Sequence, residues 1–163
     1  MSAAVGNFNV DIIKVLEICR DVELVSAELY NYFAEIFSEH EELAALWRKT
    51  AWEEESHAQQ FALALKMRRE PLVEAVAMAG RRAEHALNIV KSLNDVVRKN
   101  KPTMLEALRA AIKLEQGLAA FHMSTVASFV HESHKELFSA MMLADTDHVE
   151  ALEKFSRRLS SAG

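Results

Sequence analysis

Only one cysteine, Cys19, occurs in the 163 residues, which excludes an internal disulfide and any metal site built from four cysteines. Proline (2) and glycine (4) are scarce, so little in the chain interrupts long helices. Excess positive charge is lacking too. The formal net charge is −5, and no basic surface invites nucleic acid or anionic lipid. No apolar run is long enough to cross a bilayer, and the first residues lack the basic and apolar regions of a signal peptide. The expectation is a soluble cytoplasmic protein with no membrane or nucleic-acid partner. What is present is an ordinary globular balance, with 50% hydrophobic and 26% charged residues, over a length that suits one domain spanning 1–163.

The periodicity predicts an all-α fold with four long helices in two pairs. The first runs from about Asn9 to Phe37. Ser38 and Glu41 have capping-box spacing and would open the second helix, which ends near Arg69 because Pro71 cannot continue it. Thr103 and Glu106, just after Pro102, would open the third, and Ser133 and Glu136 the fourth. The stretch 70–101 between the second and third is long enough to run the length of a bundle. Within it Ala86, Ile89, Val90, Leu93, Val96 and Val97 repeat at helical spacing, so a crossover helix is expected there. Short, long, short is the connectivity of four-helix bundles with one crossover.

Each helix carries an apolar stripe with ionisable residues near its middle. The first reads Ile12, Leu16, Cys19, Glu23, Ser26, Tyr30, Phe33, Phe37, and the second Leu43, Trp47, Thr50, Glu54, His57, Phe61, Ala64. The third reads Leu105, Leu108, Ile112, Glu115, Ala119, His122, Val126, Phe129. The fourth reads Phe138, Met141, Asp145, His148, Leu152, Phe155, Leu159. A buried, unpaired carboxylate costs several kcal/mol. Four would consume the roughly 5–15 kcal/mol net stability of a domain. The stripes offer no Lys or Arg to compensate. Two divalent cations would do so, bringing four positive charges to four carboxylates with both imidazoles neutral and ligating.

The spacing supports that reading. Glu54-x-x-His57 and Asp145-x-x-His148 each place an oxygen and a nitrogen on one helix face. Glu23 precedes Glu54 by 31 residues, and Glu115 precedes Asp145 by 30. Tyr30 follows Glu23 by seven and His122 follows Glu115 by seven, so the halves resemble a diverged duplication about a pseudo-twofold axis.

At these residues, and closest at Glu23 through Phe33 and Glu53 through Ala58, the sequence resembles the ferritin-like di-iron carboxylate superfamily, in its rubrerythrin-like branch. The resemblance covers about residues 9–158. It implies a ferritin-like four-helix bundle holding two iron ions, with zinc or manganese as other occupants. It implies Glu23 and Glu115 as terminal ligands, Glu54 and Asp145 as bridging ligands, and His57 and His148 each on one metal. Three positions depart from the pattern. Asp145 stands where Glu is usual and is one methylene shorter, so the metal at His148 is expected to bind more weakly. Leu118 replaces a second third-helix Glu, and His122 replaces a frequent Tyr. The Cys-rich rubredoxin domain of full rubrerythrins has no counterpart here, so electrons would come from a separate donor protein.

The implied activity is a di-iron oxidoreductase of oxidative stress, reducing hydrogen peroxide or dioxygen, and a homo-oligomer, most simply a dimer. Two alternatives stay open: ferroxidase-like iron oxidation or storage, and a non-catalytic metal-binding bundle. Tyr30 reads equally as a hydrogen-bond or redox partner near the metals and as a core aromatic. His122 reads equally as a metal-site residue and a satisfied core histidine. Asp147 competes with Asp145 in another helix register. Glu28, Glu53 and Glu55 are expected to be solvated.

Overall fold

The computed structural model describes residues 2–67, 76–126 and 132–162, and these form five helices. They are α1 (Ser2–Ile36), α2 (Glu41–Met67), α3 (Val76–Lys99), α4 (Met104–Val126) and α5 (Glu132–Ala162). There is no strand among the described residues. α1 packs most extensively on α2, and α4 on α5, while α3 lies along α1 and more lightly on α4. None of the helices is long and apolar enough to cross a membrane.

Helix ends follow local chemistry, with one correction. At α4 the capping box forms as the sequence predicts. The Glu106 amide donates to Thr103 Oγ1 at 3.1 Å, and the Thr103 amide donates to Glu106 Oε1 at 3.4 Å. At α2 the cap is His40 instead of Ser38. The Leu43 amide donates to His40 Nδ1 at 3.2 Å, because the turn after α1 continues to His40 before the helix opens. α1 begins at Ser2 rather than Asn9, since nothing between them forbids a helix. α5 begins at Glu132, so Ser133 lies inside the helix and not ahead of it. Arg69 and Pro71, expected at the end of the second helix, lie outside the described residues.

The stripes predicted on α1, α2, α4 and α5 are buried or partly buried along their described lengths. Leu16, Cys19, Tyr30 and Phe33 on α1 meet Leu43, Trp47 and Phe61 on α2, and Leu108, Leu118, Phe138, Met141 and Leu152 complete the core. On α3 only part of the expected stripe is buried. Val90 and Val97 face the core, whereas Ile89 and Val96 are exposed. The Tyr32 hydroxyl donates to the Val97 carbonyl at 3.1 Å, tying α1 to the end of α3.

Two aromatic layers bracket the middle of the bundle. On one side Trp47 stacks on Tyr30 (centroids 5.5 Å apart) and tilts against Phe33 (4.9 Å). On the other, Phe61 and Phe138 pack at 5.5 Å, with His122 against both. The ionisable residues lie between these layers, in surroundings that give them little but one another.

Candidate metal centre

Four helices send ionisable side chains into one buried cluster: Glu23 from α1, Glu54 and His57 from α2, Glu115 and His122 from α4, Asp145 and His148 from α5. Glu23, Glu54, Glu115 and Asp145 are completely buried. His57 and His148 keep 9% and 6% exposure, so the cluster meets solvent along the α2–α5 side. Asp147 is exposed, which removes it as a competitor to Asp145.

Donor atoms converge in two groups. Glu54, Glu115, Asp145 and His148 form one, and Glu23, Glu54 and His57 the other. Glu54 belongs to both. Asp145, expected from the resemblance to bridge like Glu54, joins only the His148 group. Its side chain is one methylene short, and its Oδ2 lies 2.5 Å from His122 Nδ1.

At the His57 side of the cluster the spacings are longer than those of a hydrogen-bonded polar core. His57 Nδ1 lies 3.7 Å from Glu23 Oε2 and 3.6 Å from Glu54 Oε2, too far for hydrogen bonds. Atoms bound to one cation at about 2.0–2.2 Å stand roughly 3–3.6 Å apart, close to these values. Both oxygens of Glu23, Glu54 Oε2, Asp145 Oδ1 and His57 Nδ1 are buried without a hydrogen-bond partner, and Glu54 Oε1 has the 2.9 Å contact of His148 Nδ1 but no hydrogen bond aligned with it. Orphans of this kind are rare in proteins, and one explanation for them is an ion. Among the described residues, the cationic partners of the four carboxylates are imidazoles alone. Oxygen and imidazole donors suit iron, manganese or zinc. The cluster could therefore hold metal ions.

Neighbouring side chains fix the donors. The Tyr30 hydroxyl donates to Glu115 Oε1 at 2.5 Å, leaving Oε2 toward His148 at 3.4 Å. Tyr30 is thus both a core aromatic and a partner of the cluster. His148 Nε2 lies 2.6 Å from Glu53 Oε2, while its Nδ1 faces Glu54 Oε1 at 2.9 Å. A carboxylate on the outer imidazole nitrogen fixes the tautomer and leaves the inner one for a metal. Glu53 was expected in solvent with Glu28 and Glu55. Those two are exposed, but Glu53 turns across to α5. It sits one residue off the α2 stripe, so no periodic signal marks it.

Electrostatics reflect crowded negative charge. Burial, reinforced by the charge of Glu54, raises Glu23 to about 8. Burial and then the charges of Glu115, Glu23 and Glu54 raise Asp145. Burial opposes a charge on His57 and His148, but the carboxylates facing them outweigh it and raise them to about 10 and about 12. His122 goes the other way, pushed down to about 4 by burial first. The short His122–Asp145 contact has the distance of an ion pair, yet both shifts favour the neutral forms, so it is better described as a hydrogen bond between neutral partners.

Compared with known proteins, the chain matches no family model, no curated protein and no solved structure.

Proposed function

We propose that the chain is a ferritin-like two-metal carboxylate protein, and that with iron it is an oxidoreductase reducing hydrogen peroxide or dioxygen. The observation that carries this reading is the pair of donor groups joined through Glu54 at the middle of the bundle. Glu23 and His57 would hold one metal, Glu115, Asp145 and His148 the other, and Glu54 would serve both. Iron bound there would supply one-electron reduction at two adjacent atoms. The chain's own residues do the rest. Tyr30 orients Glu115, and Glu53 orients His148. The Tyr30–Trp47 and Phe61–Phe138 layers keep water from both ends of the cluster. A small oxidant would enter between α2 and α5, where His57 and His148 keep their exposure. Electrons would come from a separate donor protein. A dimer is also proposed, joined through Ile89 and Val96 on the exposed side of α3.

The test is metal analysis with an optical spectrum of protein purified without added metal, then peroxide turnover with a reductant. About two metals per chain and sustained turnover are expected. Uptake of many irons per chain would favour storage, and metal without turnover a binding module. No metal at saturating iron or manganese would refute the proposal.

A further inference from the structure

We propose that His122 withholds one oxygen of Asp145 from the metal centre, making the two metal positions unequal. One is a four-donor position at His148 and the other a three-donor position at His57. The inference rests on the two-metal reading above.

The two halves of the chain supply the comparison. Glu54 and Asp145 hold equivalent places, each three residues before a histidine on a buried stripe. Glu54 joins both donor groups, and its 2.9 Å contact, from Oε1 to His148 Nδ1, is with a fellow donor. Asp145 leaves only Oδ1 free, and joins one. The other oxygen is held by His122 Nδ1 at 2.5 Å. Tyr30, the counterpart of His122 in the first half, instead binds Glu115, a residue that serves a single group in any case. The symmetry of the duplication is therefore broken at one hydrogen bond.

His122 cannot easily release its partner. It is 1% exposed and is packed against Phe61, Phe121 and Phe138. With a cation on Asp145 Oδ1 the carboxylate would be ionised, and the neutral His122 ring would donate its Nδ1–H to Oδ2. The bond is then charge-assisted and strong. This reverses the order expected from side-chain length alone. The bridge is lost because His122 holds Oδ2, and the loss falls on the His57 position, since Asp145 stays with His148. Metal should load first at His148, leaving the His57 position with the more open coordination.

The experiment is anaerobic titration of chelator-stripped protein with Co(II), followed by calorimetry and visible absorption. The wild type should bind two ions in separate steps at least about tenfold apart, the scale on which removing one supporting contact changes metal affinity. Glu115→Gln should weaken the first step and Glu23→Gln the second. In His122→Phe the ring volume is kept but the bond is lost, so Asp145 is free to reach both metals and the gap should narrow. In His122→Asn the side-chain amide can still donate to Asp145, so the gap should persist. Two equal sites in the wild type would overturn the inference and leave the two-metal reading standing. So would a gap unchanged in His122→Phe, or the same narrowing in both variants, which would mark His122 as packing alone. Absence of any cobalt binding would overturn the two-metal reading, and this inference with it.

Discussion

Glu54→Gln should separate metal binding from ordinary core packing. Gln keeps the shape of the side chain but removes the charge that both donor groups share. In chelator-stripped protein the effect should be small, within about 1 kcal/mol, because His57 or His148 can release a proton and keep the cluster neutral. With metal the effect should be large. At about a hundred times its dissociation constant, each ion stabilises the folded chain by about 2.7 kcal/mol, or about 5 kcal/mol for two. For a chain of this size about 1 kcal/mol corresponds to roughly 2–4 °C, so metal should raise the wild-type Tm by roughly 10–20 °C. Glu54→Gln should keep less than half of that rise. Glu55→Gln, one residue along and exposed, should keep all of it. The assay is thermal unfolding by circular dichroism, with chelator and with Mn(II). A wild type indifferent to metal would refute the reasoning, as would a Glu54→Gln variant with the full rise.

Tyr30→Phe preserves the stacking on Trp47 but removes the hydroxyl from Glu115. It should weaken the metal at His148 by about 10- to 100-fold, the usual cost of losing an outer partner, and a cobalt titration that matches the wild type would count against that role. Stability of the chelator-stripped protein should fall as pH rises from about 6.5 to about 10. His57 is raised to about 10 and His148 to about 12, so their contribution is full below the ordinary histidine value near 6.5 and is lost as pH rises through the raised values. Glu23, raised to about 8, adds to this decline up to that pH. His122, lowered to about 4, acts in the opposite sense, but only between about 4 and 6.5. Urea midpoints across the range check the sign, and a flat or rising profile above pH 6.5 would contradict it.

The sequence by itself determined which face of α1, α2, α4 and α5 is buried and which ionisable residues lie on it. Helical periodicity fixes the face, and the cost of burying Glu23, Glu54, Glu115 and Asp145 makes their position on it informative. It also located the α4 start, because the Thr103–Glu106 box is a local interaction within four residues. What only the tertiary structure decided is how atoms on different helices pair. Glu53 lies off its stripe and reaches His148 because α5 passes beside that edge of α2. His122 meets Asp145 rather than a solely apolar neighbour, and Tyr30 meets Glu115 across 85 positions of sequence. The His40 cap likewise depends on where the turn after Phe37 stops. Periodicity along one helix carries no information about its rotation and axial offset against the next. Those are set by packing across the whole core, and they decide which oxygen each donor turns toward the cluster.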